Sequence, residues 1–268
     1  MSGAARTSDK PVAVITGAAS GLGRDLAHAL ATRYHLILVD IQKEALEQVA
    51  VAFTQVDTLV CDLSDDGDIS RLIAAARVRC ASVDLLINNA GITHRSLAVS
   101  TQLQVIQKVM SVDYLAPVQL TQGLLPHMNA ESTIVNIGSM AGWMPVLGRA
   151  GYCAAKSALH QYFETLRAEL GKSGPHILMV YPGFLDTPIE NNALDGAGDK
   201  ARHKRTMAGR MRSSQWMAAN IVTGIEKKQR RLFPDRFTAM ASLLYRVCPS
   251  LYLHFMRKKL HHELDPGS

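Results

Sequence analysis

The feature that most constrains this chain is an alternation. From residue 11 onward, short apolar β-rich runs are separated by longer stretches of helical period, the pattern of consecutive βαβ units. The runs are VAVIT (12–16), HLILVD (35–40), TLVCD (58–62), VDLLIN (83–88), TIVNIG (133–138) and HILMVY (176–181). None alternates apolar with polar, so both faces of each strand must be covered, as in a parallel sheet with helices on either side. The fold class is therefore α/β, a doubly wound parallel sheet. The stretches 21–33, 42–53, 66–80, 101–129 and 150–172 read as helices. Pro117 is expected to bend or interrupt the fourth, because it has no amide hydrogen to continue the ladder. A Gly-, Asn- and Pro-containing stretch, 186–212, reads as a mobile flap. Ser213 or Ser214 should then cap a helix bearing Met217, Ile221 and Ile225, followed by a short strand near RRLFP.

The sharpest local motif follows the first strand and opens the first helix: Thr16-Gly17-Ala18-Ala19-Ser20-Gly21-Leu22-Gly23. Glycines at a strand-to-helix turn let the backbone approach a pyrophosphate, whose charge is met by the free N–H groups of the helix N-terminus. The spacing is GxxxGxG and does not match the GxGxxG dinucleotide fingerprint, so position in the chain gives it its weight. Asp40 ends the second strand, near the spacing at which a carboxylate reaches an adenosine ribose. It would accept hydrogen bonds from ribose hydroxyls and repel a 2′-phosphate, favouring NAD over NADP, with Lys43 the nearby cation able to soften that preference. The plainer role for Asp40 is a strand-end cap.

Three further features lie downstream. Asn89-Ala90-Gly91 follows the fourth strand, where small residues permit close approach of a cofactor or a helix. Ser139 follows the fifth strand, at the carboxyl end where open parallel sheets bind ligands. Tyr152 and Lys156 are spaced YxxxK, which puts both on one helix face. A base with the ordinary phenol pKa of about 10 is protonated at pH 7, and an ammonium one turn away is expected to draw Tyr152 toward the working pH. Each feature alone is weak.

Together and in this order they resemble the single-domain short-chain dehydrogenase/reductase family over roughly residues 11–235. The resemblance implies a seven-stranded Rossmann sheet and hydride transfer between a nicotinamide cofactor and a carbonyl or hydroxyl carbon. It further implies that Gly17, Ser20, Gly21, Leu22 and Gly23 hold the pyrophosphate. Asp62 and Leu63 would border the adenine, with Asn89, Ala90 and Gly91 lining the cofactor. Pro182, Gly183, the Leu185 backbone and Thr187 would hold the nicotinamide end. Tyr152 would be the general acid/base, Lys156 its electrostatic partner and a ribose ligand, and Ser139 the holder of the substrate oxygen. Where the family has an Asn, this chain has Asp113, a carboxylate that raises the lysine pKa and is able to pull the ammonium away. The family commonly forms homodimers or homotetramers.

Charge is unevenly distributed. Residues 1–199 carry 14 Lys/Arg against 19 Asp/Glu, a net of −5, and residues 200–268 carry 15 against 4, a net of +11. Residues 237–256 are mostly apolar but interrupted by Arg246, Pro249 and His254, too broken for a membrane span and better read as amphipathic helix. An extension over 236–268 is thus expected to lie on an anionic membrane surface, to pack against its own domain or a second subunit, or to roof the substrate site. Nucleic acid is not an expected partner, since no recognition motif accompanies the basic residues. Trp143, Met144, Val146 and Leu147, between Ser139 and Tyr152, suggest an apolar substrate. Cys61, Cys80, Cys153 and Cys248 lie far apart without metal-site spacing, so neither a metal nor a disulfide framework is expected. Residues 1–10 read as a flexible leader without a signal-peptide core, and the expected location is cytoplasmic, with peripheral membrane association through the tail. The expected function is NAD-dependent oxidation or reduction of an apolar secondary alcohol or ketone, ketoacyl, steroid-like or otherwise lipid-like. The rival is a non-catalytic NAD(H)-binding scaffold, for which Asp113 is the best sign.

Overall fold

The computed structural model describes residues 10–201 and 211–259. Most of the expected leader, the part of the flap over 202–210 and the tail beyond 259 lie outside the described residues. The strands are β1 (Val12–Thr16), β2 (His35–Asp40), β3 (Val56–Val60), β4 (Leu85–Asn88), β5 (Thr133–Ile137), β6 (His176–Val180), the short pair β7 (Leu185–Asp186) and β8 (Arg212–Ser213), and β9 (Arg231–Leu232). Seven of them form one sheet in the order β3-β2-β1-β4-β5-β6-β9, every neighbouring pair parallel. The order reverses between β1 and β4, which opens a crevice at the carboxyl edge where such sheets bind ligands.

The helices are α1 (Gly21–Leu30), α2 (Lys43–Ala50), α3 (Asp66–Arg79), α4 (Leu103–Met110), α5 (Ala116–Leu124), α6 (Ala150–Leu170), α7 (Ser214–Glu226), α8 (Arg236–Val247) and α9 (Pro249–Lys259). Strand residues alternate between two cores, which is why the runs are apolar throughout. Val14, Ile37, Val39, Leu86, Ile134 and Met179 pack with residues of α3, α5 and α6, whereas Ile15, Leu36, Leu38, Ile87, Val135 and Leu178 pack with α1, α2 and α7. The expected third strand lies two residues earlier than its apolar run: Val56 pairs with Leu36 and Val60 with Asp40, while Cys61 lies beyond the strand with its N–H on the Asp40 carbonyl at 3.0 Å.

The long segment 101–129 is divided as Pro117 suggests, with a detail that spacing does not show. Residues Ser111–Leu115 form a π turn, closed by the Ala116 N–H on the Ser111 carbonyl, five residues back. Pro117 is the residue whose amide would have bonded the Asp113 carbonyl, so the ladder loosens at that point. Ser213 caps α7, its hydroxyl accepting from the Trp216 N–H at 3.2 Å. The described part of the expected flap is tied down: Leu194 donates to the Thr93 carbonyl and accepts from the Arg95 N–H.

The tail is two helices rather than one, divided at Cys248-Pro249. Ala241, Leu244, Tyr252 and Met256 turn inward against Met144, Val146 and Leu147, and the Tyr252 hydroxyl donates to the Pro145 carbonyl at 2.9 Å. No helix among the described residues is long and apolar enough to cross a membrane.

Candidate active site

A cavity of about 1170 Å³ runs along the carboxyl edge of the sheet, from Asp40 and Asp62 at one end to Tyr152 and the tail helices at the other. A pocket for one small molecule is typically ~300–1,000 Å³, so this space suits two partners side by side. All the sequence-predicted site residues line it except Gly23 and Asp113.

Gly17 turns out of β1 with φ of +66°, which a Cβ disfavours, and a Cβ there would also lie 2.9 Å from the Ala90 Cα. Gly23 lies beneath the turn, where a Cβ would fall 2.1 Å from the Gly17 carbonyl oxygen. The absence of a side chain there lets α1 pack beneath the turn. Asn89 is also engaged in building the turn, its amide donating to the carbonyls of Thr16 (2.9 Å) and Gly17 (3.2 Å). Ser20 occupies the N-cap of α1 without spending its hydroxyl on a capping bond, and the first turn of α1 has no acidic residue. The helix thus presents its N-terminal partial positive charge to the cavity.

Asp40 is held by the N–H groups of Ala19 and Gln42, each at 3.0 Å, so its carboxylate both fixes the glycine turn and faces the cavity. Lys43 is absent from the cavity wall and reaches toward Glu47 at 4.0 Å. Asp62 caps its own turn, accepting from the N–H and the hydroxyl of Ser64 at 2.8 and 2.7 Å. Burial works against that charge, but the Ser64 bonds and Lys108 leave its pKa below the usual carboxylate value. The glycine turn, the open helix end and Asp40 together form a donor set that fits a dinucleotide: N–H groups for a pyrophosphate and a carboxylate for ribose hydroxyls.

At the other end, α6 sets Tyr152 and Lys156 one turn apart, with the ammonium 5.8 Å from the phenol ring centroid. Ser139 caps the short 3₁₀ turn Met140–Gly142, its hydroxyl accepting from the Ala141 N–H at 3.1 Å, and lines the same cavity wall as Tyr152. Lys156 donates to the Ile137 carbonyl at 3.0 Å and pairs with Asp113 Oδ2 at 3.1 Å, their side chains 5% and 0% exposed. The other Asp113 oxygen accepts from the Ile92 N–H at 2.8 Å. The π turn aims Asp113 at this point, and it braces Lys156 from behind the cavity wall without displacing it from Tyr152.

Burial changes the proton chemistry expected from spacing. Burial raises the Tyr152 pKa above the ordinary phenol value; Lys156 opposes this, and the Asp113 charge adds to it. Tyr152 thus keeps its proton at neutral pH, the reverse of the shift the YxxxK spacing alone predicts. Burial disfavours the Lys156 ammonium, but Asp113 and Tyr152 outweigh it and raise its pKa. Burial also raises the Asp113 carboxyl pKa, opposed by Lys156 and the Ile92 N–H. A carboxyl oxygen 3.1 Å from so basic an amine remains ionised.

Two features were not legible in local sequence. His94, fully buried, accepts from the Gly151 N–H through Nε2 at 2.9 Å and engages Ser96 Oγ through Nδ1 at 3.0 Å, capping α6 from outside the helix. Burial, helped by Arg149, lowers its pKa to about 4, so the ring is neutral and able to accept. Arg149 bonds the Thr93 hydroxyl and Glu190 carboxylate, each at 3.0 Å, joining the start of α6 to the turn after Thr187. The inner faces of α8 and α9 roof the cavity with Met144, Val146 and Leu147. Trp143 does not line it: the indole packs among His160, Tyr181 and Phe233, with Arg246 over its ring at 4.0 Å.

Residues 11–197 match the family model described as short chain dehydrogenase. The chain belongs to the short-chain dehydrogenase/reductase family. This oxidoreductase is 33% identical over 268 residues to the Mus musculus protein named Dehydrogenase/reductase SDR family member 7B, covering 94% of this chain and 82% of that one. Its fold is shared with the solved short-chain dehydrogenase from Sphingobium yanoikuyae in complex with NADPH, at a TM-score of 0.76 and 24% identity, over 96% of this chain and 98% of that one. It is likewise shared with the Burkholderia phymatum enzyme in complex with NAD, at 0.75 and 24%, over 90% and 95%. Members of this family act on small molecules through a nicotinamide cofactor.

Proposed function

We propose that this short-chain dehydrogenase/reductase uses NAD(H) to interconvert an apolar secondary alcohol and its ketone, with Tyr152 handling the proton and Ser139 holding the reacting oxygen. The observation that carries the reading is the convergence of Ser139, Tyr152 and Lys156 on one wall of a cavity whose far end is built by the glycine turn and Asp40.

Gly17, Ser20, Gly21 and Leu22 would hold the pyrophosphate, Asp40 the adenosine ribose, Asp62 and Leu63 the adenine side. Asn89, Ala90 and Gly91 would line the middle, with Pro182, Gly183, Leu185 and Thr187 at the nicotinamide end. The bound cofactor would supply or accept the hydride. Tyr152 holds its proton at neutral pH, which suits donation to a carbonyl oxygen and therefore reduction; oxidation needs the phenolate and strengthens as pH rises. Lys156 stabilises that phenolate, and Asp113 moderates the effect by pairing with the ammonium. The preference for NAD rests on Asp40 facing the cavity while Lys43 reaches toward Glu47. The related folds hold NADPH in one case and NAD in another, so the preference is argued from Asp40 alone. An apolar substrate is supported by Met144, Val146, Leu147, Leu244 and Met256 around the end nearest Tyr152. The scaffold alternative gains no support, since Asp113 leaves Lys156 beside Tyr152.

The test is NADH absorbance during incubation with a panel of apolar ketones. Wild-type protein should consume NADH with at least one of them. Tyr152→Phe should lower that rate by about 10²- to 10⁴-fold while leaving NADH binding within a few fold. Tight NADH binding without turnover of any ketone, or an unimpaired Tyr152→Phe, would overturn the reading.

A further inference from the structure

The two helices that roof the cavity have a second face. On α8, Ala241 and Leu244 point inward, while Met240, Leu243 and Val247 form a stripe 71%, 61% and 78% exposed. On α9, Tyr252 and Met256 are buried, while Leu251 and Phe255 are exposed one turn apart and lead along the same side to Lys258 and Lys259. Residues 236–259 hold no Asp or Glu; Arg246 covers the Trp143 ring, and Arg257, Lys258 and Lys259 are exposed at the end of α9. An apolar stripe bordered by cations of one sign matches an anionic lipid surface, in which the side chains enter the acyl boundary and the cations meet the headgroups. A second copy is the poorer occupant: a two-fold contact would set this patch against itself and bring like charges together.

We propose that α8 and α9 dock this enzyme on an anionic lipid bilayer through their outer face. Met240 and Phe255 belong to both surfaces, since each is more than half exposed and each also lines the cavity. The roof of the cavity is therefore continuous with the docking face, so an apolar substrate dissolved in the bilayer has a short path to Tyr152. That last consequence rests on the proposed function; docking itself is measured without substrate or cofactor, so the two readings fail separately.

The experiment is co-sedimentation of the full chain with vesicles of phosphatidylcholine containing phosphatidylserine, and with phosphatidylcholine alone, at low and high salt. Each basic residue at an anionic surface contributes about fivefold to partitioning, so binding should require phosphatidylserine and weaken with salt. Leu243→Asp with Val247→Asp, outside the cavity wall, should lower the bound fraction about tenfold or more with an unchanged melting temperature. Arg257→Ser with Lys258→Ser, which leaves the apolar stripe intact, should remove the phosphatidylserine preference. Light scattering of each protein in solution completes the test. Failure to pellet with phosphatidylserine vesicles, pelleting indifferent to both variant pairs, or an oligomer that Leu243→Asp/Val247→Asp dissociates would overturn the proposal, the last by assigning the face to a second copy.

Discussion

Replacing Asp113 by Asn keeps the volume and the bond to Ile92 but removes the charge that faces Lys156. Two unit charges at their 3.1 Å separation attract by about 5 kcal/mol at an effective dielectric of ~20. Breaking a buried pair from one side typically costs about 3–5 kcal/mol, since the remaining charge stays desolvated. Asn retains one of the two contacts, so a loss near the lower end, about 3 kcal/mol, is expected. In a chain of this size that lowers the melting temperature by roughly 6–12 °C. The same change removes a charge that raises the Tyr152 pKa and leaves Lys156 acting on the phenol alone. The pH dependence of alcohol oxidation should therefore move to lower pH, with turnover at neutral pH equal to or above wild type. Scanning calorimetry and a pH–rate profile measure the two effects. A melting temperature within about 2 °C of wild type, with an unmoved pH profile, would show that Asp113 carries no charge in the native protein and would refute this account of the pair.

Asp40 should give NAD(H) about 10- to 100-fold tighter binding than NADP(H), and Asp40→Ser should narrow the gap; equal affinities by calorimetric titration would remove the carboxylate from cofactor choice. Gly23→Ala places a methyl group against the Gly17 carbonyl, so the glycine turn must move and NADH affinity, read by fluorescence, should fall at least tenfold. His94, with its pKa lowered to about 4, contributes stability that is complete above pH 6.5 and lost as pH falls toward 4, because the unfolded chain binds the proton first. The full effect is about 3 kcal/mol, so His94→Gln should flatten the acid side of the melting temperature profile; an unchanged slope would mean that another group governs it.

Much of this protein is written in local pattern. A strand covered on both faces must be apolar throughout, so the six long strands of the main sheet stand out in the sequence, and β3 lies two residues earlier than its run because Asp57 interrupts the apolar pattern at its start while Cys61 prolongs it past the last paired residue. Four residues make about one helical turn, so Tyr152 and Lys156 share a face in any helix that contains them. The glycine turn is legible for the same reason, since backbone shape and residue type are matched within eight positions. Tertiary structure decides what depends on distant groups. Asp113 meets Lys156 across 43 positions, and His94 meets Gly151 across 57. No periodicity records these contacts, yet the first adds to the rise that burial imposes on the Tyr152 pKa and the second anchors its helix. The tail shows the same division. Its amphipathic character lies in the sequence, but the choice of inner face required Met144, Val146 and Leu147 to be brought beneath it by the folding of the sheet.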